Sequence, residues 1–340
     1  MFDILKKLCL AHGVSGNEKE ICNTVRNIIF PYADVETNEF GNVFAVFGNK
    51  NSEKTILLDA HIDQIGFIVT DITSKGFLKI DKCGGIDLRT VQGCGVKVYG
   101  REVIKGVVCC LPPHLSDGKE DKAIGIDKVY IDTGLSYEEV SSIVSIGDTV
   151  SFYEEPEMLL NNRVTSPALD NRASVASIIR VAQLLKDKQC DYKVIAMFSS
   201  QEETYQLGAK IGAFISGADE AIVVDVSFAS QPDISGQYSD IKLSKGPMLC
   251  VSSTLNKDMY KTLVNIANEC NIPYQNEVCG GLTGTNADSI TICKSGIKTA
   301  LISIPEKNMH TQAEIVDLND IENTALLISQ YILRGGAKFE

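Results

Sequence analysis

Three apolar stretches of this chain each run straight into acidic or histidine side chains. Residues 55–60 (TILLDA) lead into His61, Ile62, Asp63 and Gln64. Residues 192–200 (YKVIAMFSS) lead into Gln201, Glu202 and Glu203, and residues 220–224 (EAIVV) lead into Asp225. Two further candidates stand in expected loops: Asp170 in SPALDNR, and His310 in SIPEKNMHTQAE. Singly, most have an ordinary explanation. His61 reads as a hydrogen-bonded core histidine, Asp170 as a helix N-cap, Glu202 and Glu203 as a solvated strand end, and His310 as a surface residue. Asp225 is harder to explain, because a carboxylate closing a buried strand must be paired or bound to something.

As a set, the residues have the donors of a dinuclear metal site. Each ion would take one histidine and one terminal carboxylate, and a further carboxylate would bridge the pair. Divalent zinc, cobalt or manganese accept such nitrogen and oxygen ligands. Two such ions about 3.5–4 Å apart polarise a carbonyl and make hydroxide from water. Of Asp170, Glu202, Glu203 and Asp225, one remains as a proton shuttle. Asp63 remains to orient His61 through the ring nitrogen that a metal leaves free.

The elements that must position these residues can be read from periodicity. The first 30 residues predict two amphipathic helices, the second capped by Ser15 or Asn17. DVETNEFGNVFAVFGN predicts a hairpin turning at Gly41, and TILLDAHID a strand covered on both faces. From about Gly66 to Val164, short β-prone runs alternate with glycine, proline and charged turns, so a β-rich, barrel-like insertion is expected over residues 67–163. After Arg163, helices and strands alternate: helix at NRASVASIIRVAQLLKDK, strand at YKVIAMFSS, helix at YQLGAKIGAFIS, strand at EAIVVDVS, and on to the closing helix DLNDIENTALLISQYIL. That rhythm predicts a three-layer α/β/α domain made of residues 1–66 and 164–340. In such sheets ligands gather beyond the carboxyl ends of the strands, where the polar residues lie.

Composition removes other classes. Lys and Arg total 32 against 44 Asp and Glu, a net charge of −12, and no basic cluster reverses it locally. Such a field repels phosphate backbones, so nucleic acid is not an expected partner. No stretch reaches the ~20 apolar residues of a membrane helix, and the first residues do not read as a signal peptide. Eleven cysteines, odd in number and without any CxxC pair, read as free thiols in a reducing cytoplasm.

LLDAHIDQIGF, SPALDNRAS, FSSQEETYQLGA, VVDVS and ISIPEKNMHTQAE, in that order, resemble peptidase family 42 of clan MH, the TET-type dinuclear metallo-aminopeptidases. Glutamyl, deblocking and leucyl or lysyl aminopeptidases belong to it, some once labelled endoglucanase M. GTNADSI and the PPH at residues 112–114 fit the same texture, and the resemblance spans essentially the whole chain. It implies that Asp170 bridges two divalent ions (Zn, Co or Mn), with His61 and Asp225 on one and Glu203 and His310 on the other. It further implies that Glu202 is the general base acting on metal-bound water and that Asp63 orients His61. The substrate would be a peptide with a free N-terminus. The insertion would mediate dimerisation and assembly into a homo-oligomer, a dodecamer built from dimers. Gln64, Lys307 and Asn308 depart from the family pattern, which has Glu, Arg and Tyr at these places. None of the three is among the expected ligands. Two other readings are a glycosidase, which needs two carboxylates and no metal, and a catalytically inactive assembly protein of the same fold.

Overall fold

The structure is a computed structural model that describes residues 1–110, 124–232 and 234–337. Residues 112–114, the PPH of the family texture, lie outside the described residues. Two helices open the chain, α1 (Phe2–Leu10) and α2 (Lys19–Ile29), and bury stripes that include Leu5 and Leu8 in one and Ile21, Val25 and Ile29 in the other. Neither expected cap is used: the residue before α2 is Glu18, and no side chain caps the helix. Ser15 instead bonds Thr204 Oγ1 at 3.1 Å, and Asn17 donates to Thr149 Oγ1 at 3.2 Å. Long-range tertiary partners outcompete the local cap.

The hairpin β1 (Asp34–Thr37) and β2 (Val43–Gly48) follows, with Gly41 in the left-handed region at φ +84°. Next comes β3 (Thr55–His61). Then β4 (Gly66–Ile72), β5 (Leu78–Cys83), β6 (Gly95–Tyr99), β7 (Val103–Val108), β8 (Tyr130–Asp132) and β9 (Thr149–Phe152) close a barrel in the order β4-β5-β8-β7-β6-β9. The barrel has its own core, including Phe67, Val69, Leu78, Ile80, Val96, Val98, Ile131 and Val150. Alternate residues of each strand face inward. The helix α3 (Tyr137–Ile143), started by a Ser136–Glu139 capping box, packs Val140 against this core.

The chain then forms β10 (Glu157–Met158), β11 (Arg163–Ser166), α4 (Leu169–Leu185), β12 (Lys193–Ser199), α5 (Glu202–Tyr205), α6 (Leu207–Ser216) and β13 (Glu220–Phe228). It ends with β14 (Met248–Ser252), α7 (Lys257–Glu269), β15 (Gln275–Cys279), α8 (Asn286–Thr291), β16 (Lys298–Glu306), β17 (Glu314–Asp317) and α9 (Leu318–Leu333). A single helix was expected from Tyr205 onward. Instead, Gln206 takes φ +55° and divides the segment into α5 and α6.

An eight-stranded sheet, ordered β1-β2-β12-β3-β13-β16-β14-β15, carries helices on both faces, while β10, β11 and β17 form a small antiparallel sheet. In β13, Ile222, Val224 and Val226 join one core, with α1, α4 and α9; Ala221 and Val223 join the other, with α6 and α8. Apolar residues of both parities are therefore needed, which explains the unbroken hydrophobic runs. The site depends on the central order. β12, β3 and β13 are neighbours and parallel, with Ser199 level with His61 and Val223 level with Asp59. Parallel pairing brings all three polar strand ends out at one edge. No helix of the described residues is long and apolar enough to cross a membrane, and no disulfide joins cysteines among the described residues.

Candidate active site

His61 closes β3 and is buried. Its Nδ1 bonds the carbonyl oxygen of Asp63 at 3.2 Å, and because a carbonyl can only accept, Nδ1 must carry the hydrogen. Nε2 is thereby aimed into the cluster, 3.2 Å from Asp170 Oδ1, 3.8 Å from Asp225 Oδ1 and 3.9 Å from Glu202 Oε2. His310 repeats the arrangement from the opposite side. Its Nδ1 bonds the carbonyl of Gly85 at 2.9 Å, and its Nε2 lies 3.3 Å from Asp170 Oδ2 and 3.8 Å from Glu203 Oε2. Gly85 must be glycine for this approach, since a Cβ there would stand 2.7 Å from the His310 ring.

Asp170 does not cap α4, whose first residues have non-helical angles at Asp170 and Asn171 and no side-chain cap bond. Its two oxygens face different histidines instead. Its backbone N–H donates to Glu314 Oε2 on β17, and the Asn171 side-chain amide donates to the carbonyl of Val224 on β13, which together hold this bend against the two strands. Gln201, at φ +55°, turns the chain sharply after β12 and delivers Glu202 and Glu203 to the cluster. Asp63 secures that turn, with Oδ1 accepting the Glu202 N–H at 2.9 Å and Oδ2 the Glu203 N–H at 3.1 Å.

Two polar supports had no clear signal in the sequence. Glu314 is fully buried and accepts the N–H groups of both Asp170 and His310 at 3.1 Å. Its only local hint is its place four residues after His310. Asn286, from α8, donates to Asp59 and Ser199 at 2.9 Å beneath His61, although 227 positions separate Asn286 from Asp59. The three departures from the family pattern each have a local partner. Gln64 accepts from the buried Arg172 at 3.3 Å, Asn308 donates to the carbonyl of Ala313, and Lys307 pairs its backbone with Ile315.

The electrostatics are those of a site short of positive charge. Burial pushes the carboxyls of Glu203 and Asp225 well above their usual range, and Asp170 beside them adds to the effect. Burial also raises Glu202 to about 7, His61 opposing and Asp63 and Asp170 reinforcing. For Asp170 burial acts upward too, but the hydrogen bonds to His310 and His61 prevail and hold it below the ordinary range. Burial disfavours charge on His61, yet bonds to Asp170 and Asp63 raise it well above the ordinary histidine value. The ligand atoms fall into two groups, His61/Asp170/Asp225 and Asp170/Glu203/His310, each within 4.8 Å and both containing Asp170. Glu203 Oε1 is buried with no hydrogen-bond partner. Nitrogen and oxygen donors, surplus negative charge and an orphaned carboxylate oxygen fit divalent cations. A cavity of about 650 Å³ opens from the cluster.

A layered α/β/α domain with a barrel inserted after its first central strand, and candidate metal ligands at the strand ends, is the architecture of a metal-dependent peptidase. The chain belongs to the M42 glutamyl aminopeptidase family, whose family model it matches across residues 41–327. It is 35% identical over 338 residues to a putative aminopeptidase of Acetivibrio thermocellus, covering 98% of each chain. It is 32% identical over 333 residues to a lysyl aminopeptidase of Pyrococcus furiosus, covering 96% of this chain and 95% of that one. Among solved structures, the TET1 peptidase of Pyrococcus horikoshii, reported to assemble into a tetrahedron or a large octahedral shell, superposes with a TM-score of 0.86. Its identity is 31%, over 98% of this chain and 99% of that one. The protein is an aminopeptidase, a hydrolase acting on peptides, of a metal-dependent family.

Proposed function

We propose that the cluster is a two-metal centre for removing N-terminal residues from peptides. His61 and Asp225 would hold one ion, Glu203 and His310 the other, and Asp170 would contribute one oxygen to each. The observation that carries this reading is that the two Asp170 oxygens face different histidines, at 3.2 and 3.3 Å. Bound zinc, cobalt or manganese would polarise the scissile carbonyl and make the attacking water more acidic.

The chain's own groups supply the rest. Glu202, near His61 but in neither candidate ligand group, takes the proton of the attacking water and passes it to the leaving amine. Asp63 fixes the turn that carries Glu202, and its carbonyl fixes the His61 ring. Glu314 holds the backbone of a bridging residue and of a terminal ligand at once.

The proposal extends to organisation. Residues 1–66 and 164–340 form the catalytic domain, and residues 67–163 form a domain for dimerisation and assembly, with a dodecamer as the end state. Cysteines that form no disulfide among the described residues suit a reducing cytoplasm. Chelation followed by metal add-back tests the centre. Hydrolysis of aminoacyl chromogenic substrates should vanish with chelator and return with cobalt, zinc or manganese. Full activity in verified metal-free protein would exclude the mechanism.

A further inference from the structure

The cavity that opens from the Asp170 cluster continues past it, and Glu277 on β15 forms part of its wall. Glu277 is only 4% exposed, and all its hydrogen-bond partners among the described residues are neutral hydroxyls. Ser227 donates to Oε1 at 2.5 Å and Tyr238 at 3.4 Å, while Ser303 donates to Oε2 at 2.8 Å. No ion pair forms there among the described residues. Lys210, which also lines the cavity, is engaged elsewhere: its Nζ donates to the Tyr205 carbonyl at 2.8 Å and lies 3.5 Å from the centre of that ring.

The position of Glu277 relative to the proposed ligands follows from strand register. Ser303 on β16 is level with Asp225 on β13, and Ser227 lies two residues beyond Asp225. At ~3.3 Å per residue that step is about 7 Å, close to one extended side chain. Leu301, Phe228 and Met309 line the cavity as well and offer apolar surface. A buried carboxylate with only neutral partners is costly to desolvate further, and a cation placed against it relieves that cost.

We infer that this part of the cavity receives the side chain of the substrate's N-terminal residue, and that Glu277 makes it select a cationic one, lysine or arginine. This rests on the aminopeptidase reading and adds the class of residue removed. The long stem of such a side chain lies along the apolar lining, and its charged head reaches Glu277. An apolar side chain of the same length leaves Glu277 without a counter-charge. An acidic one meets like charge.

Calorimetry on the metal-loaded protein with L-lysine and L-norleucine, which share a four-carbon stem and differ by the ammonium group, isolates this contribution. Lysine should bind roughly tenfold or more tightly than norleucine, the scale of one charge-assisted hydrogen bond. Glu277→Gln should bring the ratio toward one. Equal or weaker binding of lysine in the wild type, or a ratio unchanged in Glu277→Gln, overturns the assignment. The wild-type comparison is decisive even if the variant fails to fold. Hydrolysis of lysyl, leucyl and glutamyl p-nitroanilides by the same sample separates the two levels. Cleavage without cationic preference sinks the role of Glu277 alone, whereas absence of all cleavage sinks the aminopeptidase reading.

Discussion

Asp63 and Glu202 are 139 positions apart, yet Asp63 Oδ1 accepts the backbone N–H of Glu202 at 2.9 Å, while its other oxygen accepts that of Glu203. One buried carboxylate therefore sets the position of the proposed base and of a proposed ligand together. Asp63→Asn would turn an amide NH2 toward one of those N–H donors. Metal affinity should fall by about 10–100-fold, as for other groups that orient ligands, and activity should fall with it. Calorimetric metal titration with parallel kinetics checks both, and unchanged affinity would show that the turn holds without Asp63.

Glu202→Gln and Asp170→Asn should fail in different ways. The first should lower the rate by at least ~10²-fold, the scale of a lost general base, while metal content stays at the wild-type level. The second should lose metal, because Asp170 belongs to both ligand groups. Elemental analysis beside steady-state rates reads the two effects. If Glu202→Gln empties the site and Asp170→Asn merely slows it, the roles are reversed.

Glu18 gives the metal-free protein a pH-dependent stability. It accepts the N–H groups of Gly16 and Gln201, and burial, with Asp63 adding, raises its carboxyl from 4.5 to about 7. A raised carboxyl stabilises the fold fully below its unfolded value and loses that contribution as pH climbs through the folded one. Between pH 5 and pH 8 the wild type should therefore lose stability that Glu18→Gln does not, on the order of 1–3 kcal/mol. Denaturant unfolding of both chelated proteins at the two pH values gives the difference, and parallel pH dependences would contradict it.

Peptides should shorten one residue at a time from the N-terminus. The free α-amino group, with a reference pKa of ~8, is a cation that suits a carboxylate-rich site on a chain of net charge −12. Acetylation removes that charge and adds bulk, so it should block or sharply slow cleavage. Mass spectrometry of a peptide and its acetylated twin decides the matter, with internal cuts or equal rates counting against exopeptidase action.

The proposed assembly is tested by light scattering. A large oligomer is expected, and substitutions on the barrel between β4 and β9 should reduce its size. A stable particle of 37.0 kDa, the mass of one chain, at working concentration would remove the assembly proposal.

His61, Glu202, Glu203 and Asp225 could be singled out from sequence because each interrupts or ends an apolar run that is buried on both faces. A polar residue in such a run either lies where the strand leaves the core or, like Asp59, is held by a buried partner. The barrel was legible for a similar reason, since short alternating runs broken by turn residues have few other ways to bury one face. Asp170 was ambiguous: a carboxylate before a helix is ordinarily a cap, and nothing local distinguishes it from one. The fold decides, because β17 brings Glu314 to its backbone while His61 and His310 arrive from opposite sides. Glu314, Asn286 and Glu277 lay beyond sequence reading altogether. Their partners stand 4 to 227 positions away with no shared periodicity, and Glu277 reaches Ser227 and Ser303 only because β15 is carried to the sheet edge beyond β14. Hydrophobic pattern records which residues must be buried. It does not record which buried polar groups will meet, because those pairings are set by strand order and register, properties of the assembled sheet.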